Sequence, residues 1–232
     1  MNQVMVITGT RKGIGRYLVE YYTARGYQVI GCSRDVVDYH IPGYEHFCLD
    51  VADEQAVQKM IRTVRKTYGK IDVLLNNAGI ASMNHTLLTP LATVQKIFST
   101  NVFGTFLFCR EVAKVMVAGK SGRIVNFSSI AAPLNIEGEA AYAASKVAVE
   151  SFTRVFAREL APHNITVNAL GPNPVGTDMI KGVSQEKIDL LLGTQVLKRL
   201  GTFADVSNAV DFYIKPESDF ISGQVIYLGG VS

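Results

Sequence analysis

Tryptophan is absent from this 232-residue chain, and cysteine is scarce, limited to Cys32, Cys48 and Cys109. Three cysteines with no CxxC pair exclude a disulfide framework, argue against a zinc site, and fit a reducing, cytoplasmic compartment. No apolar run approaches the roughly 20 residues that span a bilayer, and no leader pattern precedes the apolar stretch at 4–7, so no membrane association is expected. Charge is also thin, at 19% of residues with a net +3. The 23 lysines and arginines are scattered, and the densest run (Arg62, Arg65, Lys66) falls on an expected helix surface. A nucleic-acid binder would carry a clustered basic face, so none is expected as a partner. Linkers rich in Pro, Gly or Ser, low-complexity tracts and fixed-period repeats are missing too.

What is present is a 48% hydrophobic composition with 20 glycines, which suits a folded globular chain. Short apolar runs at 4–7, 28–31, 45–49, 71–75, 123–127, 166–169 and 224–228 read as strands. Helical spacing lies between them, as in Val57, Met60, Ile61, Val64 and Tyr68, or in Leu91, Val94, Ile97 and Phe98. Asp50 and Asp53 mark a helix start. Strand–helix alternation predicts βαβ units, hence an α/β, doubly wound, seven-stranded parallel sheet of Rossmann-like type, with residues 1–232 as a single domain. Residues 171–202, broken by glycines and prolines, are the expected lid over the ligand crevice.

The first strand runs into Thr8-Gly9-Thr10-Arg11-Lys12-Gly13-Ile14-Gly15 and then a helical pattern. Gly9 suits the tight turn, Gly13 the close approach of a pyrophosphate to the backbone, and Gly15 the packing of helix on sheet. The helix N-terminus then offers free N–H groups to phosphates. The spacing is TGxxxGxG rather than GxGxxG, and a Gly-rich turn without ligand is the plain alternative. The second strand ends in Cys32-Ser33-Arg34, with Ser33 where an NAD-binding protein places an acid for the ribose hydroxyls. Arg34 next to it, with Lys12 in the turn, points to the 2′-phosphate of NADP(H), because a guanidinium grips phosphate through two parallel hydrogen bonds. Two solvated surface cations are the alternative. Asp35 falls one residue late for a ribose acid and reads as a turn or helix-cap residue.

Asn76-Asn77-Ala78-Gly79 follows the fourth strand and Ser128-Ser129 the fifth. Tyr142-Ala143-Ala144-Ser145-Lys146 opens a long helical pattern, with Ser129 thirteen residues before Tyr142. Tyr142 and Lys146 stand at i and i+4 and share a helix face. A free phenol titrates near ~10, and lowering it by ~3 units takes about 4 kcal/mol. An ammonium ~4 Å away at an effective dielectric of ~20 supplies about that much, so Tyr142 beside Lys146 can serve as a general acid or base. A YxxxK match alone is common; its conjunction with the other two motifs is not.

With these motifs in hand, the chain resembles the short-chain dehydrogenase/reductase family over nearly its whole length. The likeness rests on the TGxxxGxG turn, Asp50-Val51, the NNAG stretch, Asn101 lying 22 residues beyond Gly79, the Ser129/Tyr142/Lys146 set, and Asn168. The resemblance implies that Tyr142 exchanges a proton with the substrate oxygen, Ser129 holds that oxygen, Lys146 binds the nicotinamide ribose and tunes Tyr142, and Asn101 positions a relay water. Hydride would pass between nicotinamide and substrate carbon without a metal. It further implies adenine contacts from Asp50 and Val51, contacts from Asn77, Ala78 and Gly79, and a nicotinamide-end contact from Thr177. Arg11, Ile14, Pro172 and Val175 complete the implied cofactor set. Asn77 as a backbone brace and Ser128 as a structural residue are the plain readings of those two. The family usually assembles as homodimers or homotetramers through long helices, here 142–160 and 91–118.

The chain departs from the family pattern at Asn173, where glycine is common, and at Leu228-Gly229-Gly230. Asn tolerates unusual backbone angles, which would let the loop keep its shape. Among family branches the chain is similar to the 3-oxoacyl-thioester reductases, notably through Lys198-Arg199-Leu200-Gly201. Members that use an acyl carrier protein meet it with basic residues beside the crevice; Lys120 occupies one such place, whereas His163 stands where an arginine is expected. The lid candidates Met179, Ile180, Val183, Ile188, Leu190, Leu191 and Leu192 suit an apolar chain, or equally helix packing. Glu137 and Glu139 fall near the crevice mouth as substrate contacts or solvated acids. The expected activity is NADPH-preferring reduction of a ketone, with a 3-oxoacyl thioester or a small ketone, sugar or specialised metabolite as substrate. A silent NADP-binding sensor is the rival class, and it predicts damage to the Asn101/Ser129/Tyr142/Lys146 set, which is intact.

Overall fold

A computed structural model describes residues 2–176, 186, 189 and 192–230. The first strand, β1 (Val4–Thr8), is buried along its whole length. Its side chains alternate, as a strand's must. Val4 and Val6 pack with α2 (Glu54–Tyr68), α4 (Gly104–Gly119) and α6 (Ala140–Leu160), whereas Met5 and Ile7 pack with α1 (Gly13–Thr23) and α7 (Phe203–Ile214). With both faces covered, the strand needs an unbroken apolar run, which VMVI supplies.

Six further strands join it: β2 (Gln28–Ser33), β3 (Tyr44–Cys48), β4 (Val73–Asn76), β5 (Gly122–Phe127), β6 (Ile165–Gly171) and β7 (Val225–Tyr227). They form one sheet in the order β3-β2-β1-β4-β5-β6-β7. Every pairing is parallel, with Val6 between Ile30 and Leu74. The chain builds outward from β1 in one direction and restarts at β4 in the other. The loops leaving β1 and β4 therefore diverge and open a crevice at the carboxyl ends of the strands.

Local chemistry fixes the element ends. Asp53 caps α2, its carboxylate accepting from the Ala56 N–H at 3.0 Å, and Gly69 ends it at φ 76°. Asp50 instead accepts from the Ala52 N–H at 2.9 Å, before the helix. Thr202 and Asp205 form a capping box on α7, and Arg199 grips the same carboxylate at 2.7 and 2.9 Å. These contacts hold the Asp205 carboxyl well below the usual carboxylate range. Tyr21 and Tyr22 both donate to the Asp211 carboxylate, at 2.5 and 2.9 Å, and tie α1 to α7.

Residues 91–118, expected as one helix, are interrupted. α3 (Leu91–Phe98) passes through a π-helical stretch, Ser99–Phe103, before α4 begins. Such bulges widen a helix by one residue and cluster at functional sites, and this one carries the buried Asn101. A short helix, α5 (Ala131–Leu134), follows β5. Between the layers, Asn76 donates to Asn126 at 2.8 Å and Asn126 to Thr153 at 2.9 Å, locking β4, β5 and α6 in register. No helix among the described residues is long and apolar enough to cross a membrane.

The tightest junction of this framework is the first turn. A Cβ on Gly15 would stand 2.1 Å from the Gly9 carbonyl oxygen, a backbone atom with no freedom to retreat. Gly15→Ala should therefore lower stability by about 1–3 kcal/mol, as overpacking in a closed site does, read as a drop in the urea midpoint. An unchanged midpoint would mean that the turn can yield.

Candidate active site

The crevice holds about 1020 Å³ and runs from the β1 turn to the start of α6. At one end, Gly9 takes φ 75° and Gly13 φ 59°, conformations that L side chains seldom adopt. A Cβ on Gly9 would also lie 2.9 Å from the Ala78 Cα. Glycine thus lets two loops touch and leaves the α1 N-terminus facing the crevice with its N–H groups unused by the helix. Gly9, Arg11, Lys12, Gly13 and Ile14 line this end, while Gly15 sits beneath as the packing residue. Asn77 is a brace: its Nδ2 donates to the Thr8 and Gly9 carbonyls at 2.9 and 3.3 Å. The Ala78 N–H donates to Thr8 Oγ1 at 2.9 Å.

Ser33, Arg34, Asp50 and Val51 line the same half of the crevice. The Ser33 hydroxyl is turned onto its own loop, donating to the Asp35 carbonyl at 2.8 Å, with His46 Nε2 at 3.2 Å. Asp35 is neither a cap nor a bare turn residue; its carboxylate pairs with Arg11 at 3.0 Å. That pairing takes up Arg11, whereas Arg34 is exposed and has no ion-pair partner among the described residues. A guanidinium in solvent at the crevice edge is the group suited to a phosphate monoester. A Gly-lined turn, an open helix N-terminus and Arg34 together fit a dinucleotide carrying an extra phosphate.

At the other end, Tyr142 and Lys146 rise from the first turns of α6 and both line the crevice, as does Ser129 from the loop after β5. Ser129 acts on the Tyr142 phenol in the direction of lowering its pKa. Lys146 Nζ donates to the Phe127 carbonyl at 2.8 Å and lies 5.6 Å from the centre of the Tyr142 ring. The i, i+4 spacing predicts that the ammonium lowers the phenol, whereas Tyr142 is pushed up to about 12, burial being the main cause and Glu139 a further one. Lys146 is lowered to about 8, again by burial. Desolvation disfavours both charged forms and outweighs their attraction. Near neutral pH the resting pair is therefore a phenol beside an ammonium.

Asn101 does not line the crevice. Its Oδ1 accepts from the Ile80 N–H at 2.9 Å, and its Nδ2 donates to the Ile80 carbonyl at 2.9 Å and to Ser145 at 3.0 Å. The Ser145 hydroxyl in turn donates to the Tyr142 carbonyl at 2.7 Å. The amide thus fastens the loop after β4 to the first turn of α6. A Cβ on Gly79 would come within 3.3 Å of Lys146 Nζ and 3.4 Å of Asn101 Oδ1, so a larger residue would press on the lysine that the loop lies against. Ser128 lines the crevice wall, but its hydroxyl is committed to the buried Glu150 at 2.5 Å.

Pro172 and Val175 also line the crevice. Asn173 keeps an ordinary backbone, since the positive φ angles among non-glycine residues fall at Lys120, Asn135 and Asn164. The side chain is what matters there: buried, it donates to Gln195 at 3.1 Å and to the Arg199 carbonyl at 3.2 Å, closing the base of the 171–202 segment. Thr177 lies outside the described residues, as do Met179, Ile180, Val183, Ile188, Leu190 and Leu191; Leu192 is half-buried. Lys120 and His163 precede β5 and β6, at the amino ends of the strands, and do not border the crevice of their own chain. Sequence reasoning missed the wall made by Ile80, Met83, His85, Leu134 and Ile136. Their one signal is position, directly after the NNAG and Ser-Ser motifs.

A family model described as short chain dehydrogenase matches residues 3–188. The 3-oxoacyl-(acyl-carrier-protein) reductase FabG of Staphylococcus epidermidis is 34% identical to this chain, covering 99% of it and 98% of the relative. The protein of the same name from Escherichia coli is 30% identical over 98% and 96%. Among solved structures, ElxO with NADP bound superposes with a TM-score of 0.90 at 29% identity, over 98% of this chain and 97% of that one. A Y152F variant of ElxO with NADPH bound also gives 0.90, at 28% identity.

The desolvated lysine leaves a mark on stability. Unfolded, Lys146 holds its proton up to the ordinary range near 10.5; folded, it releases it near 8. Between those values the unfolded chain binds more protons, so stability rises with pH. Urea titrations from pH 7.5 to 10.5 should show wild type gaining stability relative to Lys146→Met across about that window. A constant difference would show the ammonium to be solvated.

Proposed function

The chain belongs to the short-chain dehydrogenase family, and from that membership we propose that it is an NADPH-preferring oxidoreductase that reversibly reduces a ketone to a secondary alcohol. One observation carries the reading: Ser129, Tyr142 and Lys146 converge at one end of a crevice whose other end is a Gly-lined, cationic phosphate cradle. NADPH, when bound, supplies the hydride. Tyr142 Oη gives its proton to the carbonyl oxygen as negative charge develops there. With its phenol held up to about 12, the residue keeps that proton at neutral pH and acts as an acid in the reducing direction. Ser129 Oγ, lining the crevice with the same phenol, orients the carbonyl oxygen. The Lys146 ammonium, fixed on the Phe127 carbonyl, would hold the cofactor ribose and stabilise the phenolate left behind. Asn101 is a positioning residue that acts through Ile80 and Ser145.

The phosphate cradle comprises Gly9, Gly13 and the α1 N-terminus, with Arg34 and Lys12 at the 2′-phosphate. Asp50 and Val51 flank the adenine, and Asn77, Ala78 and Gly79 shape the ribose wall. Residues 1–232 act as one domain, with 171–202 as the lid. Exposed Phe103 just before α4, Phe106 on α4, and Val147 and Val155 on α6 suit a homo-oligomeric contact. The three free cysteines suit a cytoplasmic setting.

The names of the relatives make a 3-oxoacyl thioester one substrate class. A second reading, a small ketone free of any carrier, is favoured by the acidic crevice mouth formed by Glu137 and Glu139.

Tyr142→Phe should bind NADPH with unchanged affinity by fluorescence titration and lose turnover by at least about a hundredfold, the usual share of a positioned acid. Near-normal turnover would remove Tyr142 as the acid and revive the silent-sensor alternative. Arg34→Asp should reduce kcat/KM for NADPH about tenfold or more while leaving NADH use within about threefold, as loss of a phosphate contact implies. Equal losses with the two cofactors would place the phosphate elsewhere.

A further inference from the structure

Glu139 immediately precedes α6, three residues before Tyr142, and lines the crevice. An acid at a helix start usually caps it. This one does not: it makes no side-chain capping bond, and no hydrogen bond or ion pair engages its carboxylate among the described residues. It is half-buried, and burial raises its pKa. Its charge also reaches the reacting phenol, whose ionisation it opposes. A partly desolvated carboxylate with no partner is unfavourable in the empty crevice and gains most from an incoming donor.

The surroundings define that donor. Beyond Tyr142 and Lys146, the ionisable side chains lining the mouth are Glu137, Glu139 and His85 among the described residues. Arg11, Lys12 and Arg34 are all at the far, cofactor end. An anionic substrate, or an anionic carrier presenting one, would meet two carboxylates there and, Lys146 apart, no lysine or arginine among the described residues. A cation or a hydroxyl a few bonds from the carbonyl would meet a waiting acceptor.

We propose that Glu139 is the substrate-orienting carboxylate of the crevice, and that it selects a small ketone bearing an ammonium or hydroxyl donor close to the carbonyl over an anionic or carrier-bound one. This rests on the ketone-reductase reading and narrows its substrate class. Tyr142 and Glu139, one helical turn apart, then take the two polar ends of the same substrate, the carbonyl oxygen and the donor.

Two measurements test this on the NADP(H)-loaded protein. The first is calorimetric binding of three alcohols that share a three-carbon frame, 1-amino-2-propanol, 1,2-propanediol and lactate, to the NADP⁺ complex. The second is turnover of the matching ketones, aminoacetone, hydroxyacetone and pyruvate, followed by NADPH absorbance. The amine should bind best and the acid worst, with about tenfold or more between them, the effect of one partly screened charge pair. Glu139→Gln should compress that ratio to within about threefold, and Glu139→Lys should reverse it, as removal and inversion of one charge require. Ratios are read because the substitution also shifts Tyr142, which alters all three ketones alike. Equal wild-type affinity for amine and acid, an unchanged ratio in Glu139→Gln, or no binding of any probe would overturn the proposal. Binding in the stated order without turnover of any ketone would instead defeat the reductase reading and leave the carboxylate's role standing.

Discussion

Desolvation of Lys146 is the constraint on which the rest of the site depends. An ammonium buried this deeply is tolerated only with a fixed acceptor, and the Phe127 carbonyl at 2.8 Å is that acceptor. Phe127 is the last residue of β5, so the lysine's position is set by where that strand stops pairing. Tyr142, one turn earlier on α6, is placed by the same helix. The Asn76–Asn126–Thr153 ladder holds β4, β5 and α6 together from below, so a shift in any of the three moves the reacting groups as a set.

The same desolvation sets the resting protonation state. A phenol beside an ammonium is the form that a reductase needs before hydride arrives, with the proton still on the oxygen that will give it away. Oxidation demands the opposite, a phenolate, which the buried crevice opposes unless further positive charge enters. The oxidised nicotinamide carries such a charge.

Much of this was legible in the chain. The VMVI strand, the TGxxxGxG turn and the Tyr142/Lys146 spacing specify a parallel sheet, a phosphate turn and a reactive helix start, because each depends on local geometry. What stayed hidden depends on tertiary contact. The periodicity of 91–118 reads as one helix, since a π-helical bulge adds one residue per turn without disturbing composition; its effect is to bury Asn101. Asp35 looks like a turn residue until Arg11 folds over it. Asn173 invites a backbone explanation, but its amide is spent on Gln195 and Arg199, distant in sequence. The sign of the Tyr142 shift was misread for the same reason. Spacing reveals a neighbouring charge and says nothing of how much water has been removed.

Charge is sorted along the crevice. Arg34 and Lys12 stand at the cofactor end beside Asp50 and the Arg11–Asp35 pair, whereas Glu137 and Glu139 stand at the substrate mouth with Lys146 behind them. In a water-poor cleft, charges of opposite sign at two ends make a field along its length, and a ligand is oriented by that field before it makes contact. The phosphates of a dinucleotide would be favoured at the β1 turn and opposed by Glu137 and Glu139 at the mouth. A cationic ketone would be drawn to the mouth and kept from the phosphate cradle. The two ligands are thus segregated by sign, which lowers the chance that either blocks the other's place. A carrier-bound anion would forfeit that separation, because the end that must admit it repels it, whereas the end that attracts it is where the cofactor binds.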